Sequence, residues 1–283
     1  MFAITGITGQ VGGVVARSLL AAGKNVRAVV RDRKKGNEWA SQGCDIAIAD
    51  MNDADSLAQA FTGTEGVLLV LPPIFDPTPG FPEVRAILTA LKRALEQARP
   101  TQVVSISTVG AQARQENLLT QHTLHERILG ELALPITFLR PAWFMENAAW
   151  DLAPARDTGV IQSFLQPLDR RIPMVATADI GRVAAELLQE RAAQHRVVEL
   201  EGPRPVSPED IASSFARQLG RSVTARTVPH DTWDSLFRAQ GMKNPLPRIQ
   251  MLDGFNQGWI TFEHRPRQGA TELDTVLRGL IER

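Results

Sequence analysis

The sequence predicts an α/β fold in which a doubly wound parallel sheet is followed by a smaller C-terminal α/β subdomain, and three observations carry that expectation. Apolar runs of strand length recur, each separated from the next by a helical or loop-like stretch. Some of these runs, "VLLVL" at 67–71 among them, are apolar at every position, as strands covered on both faces must be. Four glycines crowd into "GITGQVGG" at 6–13, after the first apolar run and before a helix-like one.

Taken in order, strands are expected at Phe2–Gly6, Val26–Arg31, Asp45–Asp50, Val67–Leu71, Val103–Ser107 and Ile136–Arg140. Helical spacing joins Val11, Val14, Val15, Leu19 and Leu20, then Leu57 and Phe61, then Val84, Ile87, Leu88, Leu91 and Leu95. Asn52 and Asp53 are candidate helix caps, and Pro82 suits a first helical turn. After residue 142 the rhythm changes: "PAWFMENAAW" brings in aromatics, four of the five tryptophans lie in this half, and "SPEDIASSFARQLG" reads as a helix. The boundaries expected are 1–142 for the first domain and 143–283 for the subdomain, with about 173–202 returning to the first sheet as a helix and a strand. No internal repeat or low-complexity tract interrupts this.

Length and composition bound what the chain can do. At 283 residues and 43% hydrophobic it can bury a sizeable α/β core. Thirty-one basic and 31 acidic side chains cancel, leaving no net field to gather nucleic acid or anionic lipid. Cys44 is the single cysteine, no signal-peptide pattern opens the chain, and no apolar run reaches the roughly 20 residues of a membrane span. A cytoplasmic protein without nucleic-acid or membrane partners is expected, and a homodimer is left open.

A first strand that turns sharply into a helix, with room for a pyrophosphate against the backbone, needs glycine for its positive φ and its missing Cβ. Gly6 and Gly9 fall in that turn and Gly12 at the helix start, spaced three apart rather than as Gly-x-Gly-x-x-Gly. The expectation is a dinucleotide-binding, Rossmann-type domain, with phosphates at the positive end of the first helix. A merely tight turn is the alternative. At the end of the second strand, "VVRDRKKG" surrounds Asp32 with Arg31, Arg33, Lys34 and Lys35, a setting suited to the 2′-phosphate of NADP(H). Asp32 lies 20 residues after Gly12, which keeps NAD(H) as the alternative cofactor, and a solvated basic turn is the non-functional one.

These residues resemble the NmrA-like group of atypical short-chain dehydrogenases/reductases, and within it the bacterial NADPH-dependent quinone oxidoreductases and triphenylmethane reductases. "ITGITGQVGG", "AVVRDRKKG", "GCDIAIADMNDADSLAQAFTG", "HTLHERIL" and "ITFLRPAWFMEN" follow the family's order and spacing, and the likeness thins out by about residue 202. The resemblance implies NADP(H) over Gly6, Thr8, Gly9, Gln10, Val11 and Gly12, with its 2′-phosphate near Arg31 and Lys34 or Lys35. It further implies adenine beside Asp50 and Met51, and nicotinamide near Leu71, Pro72, Ser107 and Pro141.

The chain contains no tyrosine, so the Tyr-x-x-x-Lys acid of the wider superfamily is absent; Arg127 stands roughly where its lysine would fall, and arginine does not give up a proton. Hydride addition to a quinone asks less of the protein, because it yields a phenol-like anion of pKa ~10 that water can protonate. Should a donor be used, His122 and Glu126, four apart on one helical face, are the catalytic candidates, with His125 beside them; a polar helix surface is the plainer alternative. No metal site is expected, since no third ligand stands nearby. The proline-rich "LPPIFDPTPGFP" offers Pro73 to an apolar pocket wall, and Trp143 and Phe144 could complete it for a flat ring, unless they are core. The expected function is NADPH-dependent hydride transfer to a quinone or similar small flat aromatic. The alternative is a redox sensor that binds NADP or NAD and acts through protein partners; the chain ends soon after "DTVLRGLIER", without a long partner-binding extension, which favours the enzyme.

Overall fold

The computed structural model describes residues 1–282. Its first half alternates strand and helix: β1 (Phe2–Ile4), α1 (Gln10–Ala21), β2 (Val26–Val30), α2 (Arg33–Ser41), β3 (Asp45–Ile48), α3 (Ala54–Phe61), β4 (Gly66–Leu69), α4 (Pro82–Ala98), β5 (Gln102–Ile106), α5 (Thr120–Leu129) and β6 (Ile136–Pro141). Most of the six strands end one or two residues before the apolar run does, because those residues peel off the ladder into the loops that leave the sheet. Asp53 caps α3 by accepting from the amides of Asp55 and Ser56, and Pro82 opens α4.

The second half is built from shorter pieces. β7 (Trp143–Phe144) and a 3₁₀ turn over Met145–Asp151 lead to α6 (Leu152–Asp157), β8 (Val160–Ser163) and β9 (Met174–Val175). Then come α7 (Thr177–Gln189), β10 (Arg196–Glu201), α8 (Pro208–Leu219), β11 (Thr224–Thr227), α9 (Trp233–Ala239), α10 (Leu246–Gln257), β12 (Arg267–Gln268) and α11 (Leu273–Ile281).

Eight strands form one parallel sheet in the order β12-β10-β6-β5-β4-β1-β2-β3, and β7 with β9 and β8 with β11 form two small parallel pairs. From β1 the chain steps outward to β2 and β3, then crosses back to lay β4 on the other side of β1. The carboxyl ends of β1 and β4 therefore flank the topological switch point, where open α/β sheets bind ligands. Alternation along β1 sets the layers. Phe2 and Ile4 face the core shared with α1 and α7, and Ala3 faces the core shared with α3, α4 and α5. α1 and α7 approach so closely that a Cβ on Gly181 would lie 2.5 Å from the Cβ of Val14. β10 pairs with β6, Val198 opposite Leu139, so this stretch of the second half lies in the main sheet. A third core, around Phe215, Trp233, Phe237 and Phe255, holds the small strands and C-terminal helices together. No helix among the described residues is long and apolar enough to cross a membrane.

Candidate functional site

The switch point is stitched by Thr5. Its amide and hydroxyl both donate to the Leu68 carbonyl (3.1 and 3.0 Å), and the hydroxyl accepts from the Val70 amide at 2.8 Å. Beyond it Gly6 takes φ +62°, and its carbonyl receives the Gly9 amide at 2.9 Å. A Cβ on Gly12 would sit 2.3 Å from that same carbonyl oxygen, so the turn closes only with glycine there. Gly9 is the N-cap of α1 and offers no capping side chain, and the first turn holds no acidic residue. The amides of Gln10, Val11 and Gly12 thus have no intrahelical acceptor and point along a positive helix end, which is an anion site in form. Thr8, Gly9 and Gln10 are exposed there; the Val11 side chain is buried in the core, leaving its amide as the ligand-facing group.

The remaining cofactor candidates come from strand ends along the same edge. Arg31 follows β2, and Arg33 begins α2, so the basic stretch is the first turn of a helix rather than a loop. Arg31, Lys34 and Lys35 are exposed, while Asp32 caps α2, its Oδ1 accepting from the Lys35 amide at 2.9 Å. Asp50, after β3, accepts from the Asn52 amide at 2.8 Å, and Met51 is half-buried beside it. After β4, Leu71 is half-buried and Pro72 and Pro73 are exposed. That loop is moored rather than free: Asp76 accepts from the amides of Lys243 and Asn244, both at 2.8 Å, and Gln121 donates to the Ile74 carbonyl at 3.0 Å. Ser107 and Pro141 sit at the same edge but are buried, Ser107 only 3% exposed, so they form no part of an open wall.

Beneath this edge lies a polar cluster that corrects the expectation for Glu126. Its carboxylate receives the Ser107 hydroxyl at 2.6 Å and two hydrogen bonds from the Arg140 guanidinium, Nε at 2.8 Å and Nη2 at 2.6 Å. In all three contacts the carboxylate is the acceptor, so it is engaged in the cluster rather than free beside His122. Arg140, 4% exposed, also meets Glu263 at 2.6 Å and Glu199 at 3.6 Å. Burial opposes its charge, but the hydrogen bonds and charges of Glu126 and Glu263 outweigh that and hold the guanidinium protonated more firmly than usual. The histidines differ. Burial lowers the pKa of His122 to about 4, with Glu126 partly offsetting it, and burial together with His122 lowers that of His125 to about 3. His125 is fully buried, its Nε2 2.7 Å from Ser105 Oγ, and Nδ1 of each ring is buried without a partner. Both are neutral imidazoles near pH 7.

Trp143 and Phe144 diverge. Trp143 is half-buried and packs edge-on against Phe255 at 5.1 Å, whereas Phe144 packs against the sheet core and is not positioned with Trp143 on one wall. Sequence reasoning missed Thr5, Arg140, Glu146 and Thr177, which act by contacts between segments far apart in the chain and leave no local spacing to find. A cavity of about 780 Å³ lies elsewhere, lined by Gln166, Asp169, Glu209, His230, Asp253 and Asn256. Its main polar groups are paired with one another, Asn256 with Gln166 and Phe164, His230 with Asp253. That cavity is closed by its own pairings, whereas the amides at the start of α1 have no intrahelical acceptor, which makes the sheet edge the candidate site. Among the described residues no group of three or more His, Cys, Asp or Glu could hold a metal ion.

The chain is similar to known proteins. The sequence pattern of the NmrA-like family matches residues 1–257. Quinone oxidoreductase 2 of Escherichia coli strain K12 is 27% identical over 248 residues, covering 87% of this chain and 84% of its own. NAD(P)H azoreductase of Xenophilus azovorans is 25% identical over 249 residues, covering 87% and 83%. The triphenylmethane reductase of Citrobacter sp., solved in complex with NADP(H), superposes with a TM-score of 0.81 at 21% identity, covering 99% of this chain and all of its own.

Proposed function

The chain belongs to the NmrA-like family, and on that premise we propose that it is an NADPH-dependent reductase of quinones or similar small, flat, electron-poor aromatics. The observation that carries this is the start of α1: a glycine turn at the switch point, closed to any Cβ at Gly12 and uncapped at Gly9, with three amides aimed outward. A dinucleotide pyrophosphate fits it. The dinucleotide supplies the hydride; the residues of the chain bind, orient and shield. Arg31 with Lys34 or Lys35 would receive the 2′-phosphate, while Asp32 is engaged in capping α2. Asp50 and Met51 would flank the adenine, Leu71 and Pro72 the nicotinamide, and Pro73 and Trp143 the acceptor ring.

Neither of the two candidate donors would serve as an acid for the acceptor near neutral pH. Tyrosine is absent, Glu126 is ion-paired, and His122 has lost its second proton well below pH 7. A hydroquinone anion, pKa ~10, would take its proton from water rather than from a side chain. Alignment of the two rings is the contribution asked of the protein.

NADPH oxidation measured against a panel of small quinones tests this, alongside equilibrium titration of NADPH and NADH. Turnover is expected, with NADPH bound about tenfold more tightly than NADH, a preference that Arg31→Ala removes. Tight NADPH binding without turnover across the panel would instead favour a sensor that acts through partner proteins. Tighter NADH binding would make Asp32 the specificity residue.

A further inference from the structure

Thr177, the first residue of α7, stands between two acceptors. Its amide donates to both oxygens of Glu146, at 2.9 and 3.0 Å, and its hydroxyl lies 2.6 Å from Glu146 Oε1 and 2.9 Å from Gln10 Oε1. A hydroxyl has one proton and a carboxylate has none. The 2.6 Å contact has the length of a charge-assisted O–H···O⁻ bond, so the proton belongs there. Thr177 can then meet Gln10 only as an acceptor. Side-chain amide oxygen and nitrogen are assigned by their partners, and the partner here requires Nε2 of Gln10 to face Thr177. Its carbonyl oxygen then faces away from Thr177, and Gln10 is exposed at the first position of α1.

The relay also fixes a direction. Glu146 lies just past β6 and β7, on the opposite side of β1 from β2 and β3, so Gln10 is drawn away from the end that would hold the adenine. A carbonyl oxygen there repels phosphate and accepts from N–H or O–H groups. Resting on the dinucleotide reading above, we propose that Glu146 and Thr177 are positioning residues that hold Gln10 so that its carbonyl oxygen accepts a hydrogen bond from the nicotinamide half of the cofactor, from the carboxamide or the adjoining ribose.

The test is equilibrium titration of wild type, Thr177→Val, Thr177→Ser, Gln10→Leu and the Thr177→Val/Gln10→Leu double variant with NADPH and with adenosine 2′,5′-bisphosphate, which lacks the nicotinamide half. Thr177→Val should weaken NADPH about three- to tenfold, the range of one hydrogen bond, and leave the bisphosphate within about twofold. Thr177→Ser should restore wild-type binding, and the double variant should be no weaker than Gln10→Leu, because both act on one contact. Reduced 3-acetylpyridine adenine dinucleotide phosphate, which has no carboxamide N–H, separates the two donors. If Thr177→Val no longer matters with it, the carboxamide is the partner; if the loss persists, the ribose is. Equal loss for NADPH and the bisphosphate, or additive losses in the double variant, overturns the relay while leaving the dinucleotide site standing. Wild-type protein that binds neither ligand overturns the dinucleotide reading and the relay with it.

Discussion

α1 and α8 are both twelve residues long, and they begin in opposite ways. At α8 the Ser207 hydroxyl accepts from the Asp210 amide while the Asp210 carboxylate accepts from the Ser207 amide, a reciprocal box that closes the helix on itself. At α1 glycine stands at the cap and nothing closes the end. The Arg140 cluster repeats the closed pattern in the core, with its guanidinium and three carboxylates turned toward one another. Polar groups that serve the fold are satisfied by the chain itself. The first amides of α1 are left for something else to satisfy, and that difference is what makes the turn before α1 the candidate site.

The largest effect expected from breaking a closed region is at Arg140. Arg140→Met leaves Glu126 and the fully buried Glu199 without their cation, and removing one partner of a buried ion pair costs about 3 to 5 kcal/mol. Denaturant unfolding at pH 7 should show that loss. A change under about 1 kcal/mol would mean that the cluster behaves as a solvated surface.

Much of the open region was legible in the sequence and little of the closed one. The six strands of the first half, the glycine turn and the Asp53 cap follow from local spacing, because period and capping are properties of neighbours in the chain. Arg140 gave no such sign. Its partners Glu126, Glu199 and Glu263 lie on separate segments, and only the pairing of β6 with β10 and the return of the chain past α10 bring them together. For the same reason Glu126 looked like a free acid beside His122, and Phe144 like a pocket wall beside Trp143. α2 was hidden by its charge: with three cations and a glycine in its first four residues it carries no apolar stripe, yet Asp32 caps it and Trp39 anchors it. β12, a two-residue strand at the sheet edge, is too short to show a pattern.

The open region is sharpened by filling it. Gly9 has φ −88° and ψ 173°, an extended conformation any residue adopts, and a Cβ there would lie 3.2 Å from the Gly6 carbonyl, tight but not impossible. Gly9→Val should therefore fold, in contrast to Gly12, where the same atom would meet backbone at 2.3 Å. NADPH titration of the folded variant should show affinity lower by at least ~100-fold, about 2.7 kcal/mol, since the side chain stands where the pyrophosphate would approach. Near-normal binding would remove the site from this turn.

Acid should discriminate the regions again. His122 and His125 are neutral in the folded chain down to about 4 and about 3, whereas in the unfolded chain they take up a proton near 6.5. The unfolded state binds more protons in that window, so the stability these rings contribute is complete above pH 6.5 and is lost as pH falls toward 4, by about 1.4 kcal/mol per pH unit for each ring. His122→Gln should flatten the stability profile between pH 6.5 and 4, measured by unfolding at a series of pH values. An unchanged slope would show that carboxylates alone carry the acid sensitivity.

The smallest effect is expected where the closed pattern is most local. Ser207→Ala removes the hydroxyl that accepts from the Asp210 amide, while the other half of the box survives, since Asp210 Oδ2 still receives the amide of residue 207 at 3.0 Å and stays paired with Arg171 at 3.0 Å. Loss of a serine cap costs about 0.5 to 2 kcal/mol, and the surviving half should hold this one near 1 kcal/mol. α8 packs in the C-terminal core and not at the sheet edge, so NADPH affinity should stay within about twofold while the midpoint of unfolding falls. A paired fall in stability and affinity would mean that the two helix ends are coupled through the C-terminal lobe, and that the contrast between them is one of degree.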